Sequence, residues 1–150
     1  MIMKKTFVRV RSVRDVVIFS TLLIAGALLI ALPTSPAVNI TGFLMICSGS
    51  ILAFILKTGY RDADTKEIYF KKEHFFQHAV SAQIASAIAS KPDAVDLSNE
   101  DLGNSMRLDV YYSKTSNKAY IQLYEYIPYM YEPCTEMYEY DLSKVTKLVA

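Results

Sequence analysis

The sequence predicts a membrane-anchored α+β protein: a hairpin of two transmembrane helices, then one small domain with a helix and an antiparallel sheet of three to four strands. Three observations carry that expectation. Residues 16–56 contain no Asp, Glu, Lys, Arg or His, although 21% of the chain is charged. Pro33 and Pro36 interrupt this stretch near its middle. Beyond it, apolar residues alternate with period two in three successive segments, the mark of half-buried strands.

The first apolar run, Val16 to Leu32, holds 17 residues and at about 1.5 Å per residue reaches roughly 25 Å. Val13 lengthens it, placing Arg14 and Asp15 at headgroup depth. The second run, Ala37 to Leu56, is long enough to span. A charge at the hydrocarbon centre costs at least about 2.5 kcal/mol, so a charge-free stretch this long is a bilayer signature. Pro33-Thr34-Ser35-Pro36 ends one helix and opens the next. A signal peptide cut after Ser35-Pro36-Ala37 is the competing reading. The apolar stretch exceeds a usual signal core, and a second span follows at once, so the hairpin is favoured. Ala27 and Ala31 on one helix, with Gly42, Gly49 and Ala53 on the other, offer small surfaces for close packing.

Charge is segregated. Up to Asp15 five bases face one acid; from Lys57 to Lys72 five bases face three acids; from Glu73 onward six bases face eleven acids. Bases flank both outer ends of the hairpin and none sits in its turn. The positive-inside rule therefore gives a multi-pass protein of the cell (inner) membrane with both termini cytoplasmic. The division is a basic N-terminus (1–15), the hairpin (16–32 and 37–56) and a cytoplasmic domain (57–150). Base-rich flanks suit an anionic bilayer. A distal acidic domain argues against nucleic acid. The absence of intramembrane acids and bases argues against a pump or transporter. Cys47 and Cys134 fall in different parts of the chain, and two unpaired thiols fit a reducing compartment.

Within the domain, Thr65 to Lys71 predicts a short strand. His74 to Ser90 predicts a helix whose stripe is Phe76, Val80, Ile84, Ala87 and Ile88. Lys91-Pro92 stops it, and an acidic loop follows to Asn104, with Ser98 capping one turn and Gly103-Asn104 ending it. Strands are expected at Met106–Ser113, Ala119–Ile127 and Cys134–Leu142, with a connecting loop from Pro128 to Pro133 and a last helical turn over Lys144 to Val149. Alternation puts Leu108, Val110, Tyr112, Ala119, Ile121, Leu123, Tyr138, Tyr140 and Leu142 on an apolar face. Arg107, Asp109, Tyr111, Tyr120, Gln122, Tyr124, Tyr126, Met137 and Glu139 fall on the other.

Helical spacing would set His74 and His78 on one face beside Glu73, as two metal ligands from one helix. No third ligand stands at defined spacing, so a solvated pair is the plainer reading, and no cofactor is expected. Cys134 paired with a histidine could be a nucleophile, but no activating context is visible. Asp93, Asp96, Glu100 and Asp101 lack the ordered spacing and central Gly of a calcium loop. The sequence holds no phosphate-binding Gly loop, Ser elbow or zinc-ribbon spacing.

The unusual feature is tyrosine: eleven, with no tryptophan, and nine of them after residue 110. Tyrosine offers large contact area at low entropic cost, with a polar tip, although strands favour it in any case. The expectation is a non-enzymatic accessory or interaction module. It would present Tyr111, Tyr120, Tyr124, Tyr126, Tyr129, Met130 and Tyr131 to a protein partner, or to another copy, at the cytoplasmic membrane surface. A metal- or ligand-responsive sensor using His74 and His78 is the alternative, and a Cys134-dependent enzyme a further one.

Overall fold

The computed structural model describes residues 5–100 and 105–150, and the chain divides into two compact units. One is Arg9–Gly59; the other joins the residues up to Val8 to Tyr60–Ala150.

The first unit is a helical hairpin of α1 (Val13–Ala31) and α2 (Pro36–Ile55). Both helices are long and apolar enough to cross a membrane, with mean hydropathies of 2.1 and 1.9. Helix α1 starts three residues before the expected Val16 because Ser12 and Asp15 form a capping box. The Ser12 hydroxyl accepts from Asp15 N at 3.3 Å and the Asp15 carboxylate accepts from Ser12 N at 2.9 Å, satisfying two orphan donors of the first turn. Pro36 opens α2 at its first position, where a missing N–H costs nothing.

The helices meet through glycine. A Cβ on Gly26 would stand 2.6 Å from the Gly42 carbonyl oxygen, and one on Gly42 would stand 2.7 Å from that of Gly26. Gly49 packs against Leu23, where a Cβ would lie at 3.1 Å. Gly42 and Gly49 are the small residues expected there, but Gly42 faces Gly26 and Gly49 faces Leu22 and Leu23, whereas Ala27 and Ala31 are exposed. Only the absence of side chains at 26 and 42 permits this backbone approach.

The second unit is built on a seven-stranded sheet rather than the expected three or four strands. Its strands are β1 (Phe7–Val10), β2 (Gly59–Asp62), β3 (Ile68–Phe76), β4 (Met106–Ser113), β5 (Lys118–Ile127), β6 (Met130–Pro133) and β7 (Tyr138–Asp141). The order is β1-β2-β3-β4-β5-β6, with β7 also pairing β5, and every pairing from β3 to β7 is antiparallel. Strands β1 and β2 stand in sequence on either side of the hairpin. The segment expected as a basic tail and the segment expected as a membrane exit are therefore both strands.

The largest departure concerns His74 to Ser90. The helix α3 covers only Ser81–Ser90, preceded by a 3-10 turn at His78–Val80. Residues through Phe76 extend β3, which pairs with β4 from Phe70↔Tyr112 to Phe76↔Met106. Aromatic and long side chains at 69–76 suit a pleated surface, and a full ladder to β4 satisfies backbone groups that a short helix end would leave open.

The face assignments of β4 and β5 hold. Leu108, Val110, Ala119, Ile121 and Leu123 are buried with Phe76, Ile84 and Ile88 beneath α3, and Tyr112, Tyr138, Tyr140 and Leu142 pack against them. A short final helix, α4 (Thr146–Val149), adds Leu148, and Val145 just before it adds a second buried side chain. The expected strand Cys134–Leu142 is instead two pieces on one edge of β5. Strand β6 covers Tyr124–Ile127 and β7 covers Lys118–Ile121, with residues 134–137 bulging between them. There Cys134 N donates to Leu123 O at 3.0 Å, and Leu123 N donates to the Thr135 hydroxyl at 3.1 Å. In the acidic loop Asp96, not Ser98, caps the 3-10 turn Leu97–Asn99. Asp101 and the turn expected at Gly103-Asn104 lie outside the described residues.

A tyrosine-rich face and hairpin tip as candidate functional site

The sheet's second face carries Tyr69, Lys71 and Glu73 from β3, Arg107, Asp109 and Tyr111 from β4, and Tyr120, Gln122, Tyr124 and Tyr126 from β5. Its first part is a closed aromatic cluster. Phe7 of β1 stacks on Tyr111 at 4.2 Å and 8°, and meets Tyr69 edge-on at 5.4 Å. Tyr69 in turn meets Tyr120 at 5.7 Å. Tyr120 is 3% exposed, and Met137 is buried beside it. Tyr120, expected on a partner-facing surface, is thus a core residue. The cause is Phe7, which arrives from a strand more than a hundred residues upstream. Tyr111 is half-buried, and desolvation pushes its hydroxyl up to about 12 against the lowering effect of Lys71.

Next to this cluster runs a strip of four charges. Lys71 Nζ lies 2.8 Å from Glu73 and 3.4 Å from Asp109, and Arg107 Nη2 donates to Asp109 Oδ2 at 2.9 Å. Asp109 is 1% exposed. Desolvation lifts its carboxyl above the ordinary range despite the two cations beside it. Desolvation would lower Lys71, but Glu73 and Asp109 outweigh it and raise the ammonium. Arg107 Nε stands 2.8 Å from Asp109 Oδ1 but out of line, so the contact is electrostatic rather than a directed hydrogen bond. Two bases and two acids cancel, which permits burial at tolerable desolvation cost. The Arg107 guanidinium also lies over Tyr124 at 5.0 Å and over Tyr131 at 4.4 Å. Such cation–π contacts gain strength when desolvated. The strip therefore ties β6 to β4 and β5 through Arg107.

Beyond it the β5–β6 hairpin projects. The expected loop Pro128–Pro133 is a two-residue turn at Pro128-Tyr129 followed by strand, with Ile127 opposite Met130. Pro128 at the second turn position and a φ of 78° at Tyr129 are the marks of a type II turn. That backbone region is costly for a bulky side chain. The ring of Tyr129 finds no cover there: it is 98% exposed, beside Met130 at 56%, Tyr126 at 49% and Ile127 at 39%. Tyr126 and Tyr131 pack ring to ring at 5.2 Å, which stiffens the neck of the hairpin. Residues 119–143 contain five acids and no base. Two of the acids, Glu125 and Glu132, stand opposite each other two residues from the tip.

The remaining candidates are placed differently from expectation. His74 lies on the core face of β3, its ring nitrogens engaged by the Glu100 carboxylate and, at 2.6 Å, by the Leu148 carbonyl. His78 is exposed on the 3-10 turn, 3.1 Å from Glu125. The two do not share a helix face, so the spacing that suggested a ligand pair does not operate. Among the described residues no group of three or more His, Cys, Asp or Glu is arranged to hold a metal ion. Cys134 sits in the edge bulge with Sγ 3.5 Å from Leu123 O. Desolvation and Glu125 push its thiol up, the opposite of what a nucleophile needs. Of the acidic-loop residues, Asp96 caps a turn and Glu100 bonds His74.

The structure thus brings together Tyr126, Tyr129, Met130 and Tyr131 at the tip, and adds Arg107 as their support. It withdraws Tyr120 and most of Tyr111. Arg107 had a legible signal, being the cation two residues before Asp109 on a tyrosine-rich face. Phe7 had none. Comparison with protein-family models, with curated proteins and with solved structures finds no match for this chain.

Proposed function

We propose that this chain is a two-span inner-membrane protein with both termini cytoplasmic, and that its sheet domain is a non-enzymatic interaction module. Its β5–β6 hairpin tip engages a protein partner near the membrane surface. One observation carries the reading: Tyr129, Met130, Tyr126 and Ile127 form an exposed apolar tip on a hairpin braced by Arg107 and the Tyr126–Tyr131 pair. A rigid aromatic held in water at a costly φ gains nothing for folding, and exposed aromatics on preorganised elements are typical binding anchors. Bilayer docking of the tip is disfavoured by Glu125 and Glu132 beside it, which anionic lipid repels. The two apolar helices, 19 and 20 residues long, support the anchor. That β1 and β2, which flank the hairpin in sequence, belong to one sheet supports placing both ends on the same side of the bilayer.

The test is the double variant Tyr129→Asn, Met130→Ser in the full chain. Asn tolerates positive φ, so the turn survives and stability changes by no more than about 0.5 kcal/mol. The variant is expected to insert and melt like the wild type while losing the protein that co-purifies from mild detergent. Unchanged co-purification would sink the reading.

A further inference from the structure

We infer that the open end of the helical hairpin binds the phosphate of an anionic phospholipid headgroup. This inference rests on the hairpin crossing a bilayer. Within the unit Arg9–Gly59 there are four bases, Arg9, Arg11, Arg14 and Lys57, and all stand at the end where the chain enters α1 and leaves α2. The other end, Pro33 to Pro36, has no charge.

Hydrogen bonds hold these two chain segments together. Thr58 donates to the Asp15 carboxylate twice, from its hydroxyl at 2.6 Å and from its backbone N–H at 2.7 Å. The hydroxyls of Ser12 and Thr58 stand 3.2 Å apart. Arg9 Nε donates to the Lys57 carbonyl at 2.7 Å. The bonds place Arg9 and Lys57 side by side and keep Arg11 and Arg14 within a helical turn of the same clamp. Asp15 is the unit's single acid, and it is fully buried under this clamp with its oxygens occupied. All four basic residues are exposed. The Arg11 guanidinium reaches over the ring of Phe19 at 5.9 Å, two turns into the apolar helix, which puts cationic charge at the edge of the hydrocarbon. Four exposed cations, clamped together where an apolar helix pair ends, present donors at the depth of lipid phosphates. Net charge selects anionic over zwitterionic headgroups.

The experiment reconstitutes the full chain in phosphatidylcholine vesicles with and without phosphatidylglycerol. It measures the association of spin-labelled phosphatidylglycerol relative to spin-labelled phosphatidylcholine. Resistance to alkaline extraction is scored in parallel. The wild type is expected to insert in both vesicles and to prefer phosphatidylglycerol, with the preference falling about fivefold for each base neutralised. Arg14→Gln and Lys57→Gln test this singly. The quadruple variant Arg9→Gln, Arg11→Gln, Arg14→Gln, Lys57→Gln should bind both lipids alike, whereas Arg→Lys at the three arginines should retain the preference. Free glycerol phosphate should not compete. An inserted wild type without preference, or an inserted quadruple variant that keeps it, overturns the inference alone. Full competition by glycerol phosphate would reassign the site to a soluble phosphate. A wild type that inserts in neither vesicle overturns the membrane reading as well.

Discussion

Ile121 and Tyr120 are neighbours on β5 with opposite orientations, and both are buried. Ile121→Asp puts an unpaired charge under α3 and is expected to unfold the domain, at a cost of several kcal/mol. Tyr120→Ser opens a cavity beneath Phe7 and Tyr69 and should cost about 3 kcal/mol. Chemical denaturation of the two variants against Tyr129→Asn, which should be near neutral, checks the assignment; a neutral Tyr120→Ser would show the second face to be open. A pH dependence belongs to this scale too. Burial alone would lift the Asp62 carboxyl, but the hydrogen bonds from Lys5 at 2.8 Å and from Asp64 N at 2.9 Å outweigh it and hold the carboxyl below the ordinary range. The stabilisation is therefore complete above the unfolded value of about 3.9 and is lost as pH falls through the lower folded value. Melting curves on the acid limb should be steeper for the wild type than for Asp62→Asn. Equal slopes would remove Asp62 from the account.

The elements that the sequence disclosed are those whose neighbours in space are neighbours in the chain. Strand β4 agrees with its expected bounds and β5 differs by one residue, because each alternates cleanly and pairs with the other across a short turn. The helices α1 and α2 were visible from hydropathy alone. Strand β3 was misread because Phe76, Val80 and Ile84 happen to recur at helical spacing across a strand, a 3-10 turn and a helix. Strands β1 and β2 are four residues each, too short to show a pattern of their own beside long apolar spans. The edge formed by β6 and β7 was read as a loop and a strand because a bulge, which has no composition of its own, decides where pairing breaks. That bulge and Pro133 also protect the edge against pairing with another chain. For the candidate site, the two prolines made the tip legible. The burial of Tyr120 depends on a distant strand and could not be inferred locally.

At the scale of the molecule, the sheet draws on residues from both sides of the hairpin. Phe7→Ala, far from the domain in sequence, is expected to destabilise it by about 2 kcal/mol, since the ring is partly covered and touches Tyr69, Tyr111 and Tyr120. Amide exchange in β4 and β5 should accelerate in step with that loss, whereas exchange in a domain independent of its N-terminus would not change.

The arrangement also has a history in time. Phe7 is translated more than a hundred residues before Tyr120, and at about 5–20 residues per second it waits on the order of ten seconds for its pocket to exist. If the hairpin crosses a bilayer as proposed, a chain with its two ends on opposite sides would leave Phe7 apart from Tyr111 and Tyr120, the rings it covers. On the proposed topology, closure of this sheet would report that the hairpin has come back to the side it started from.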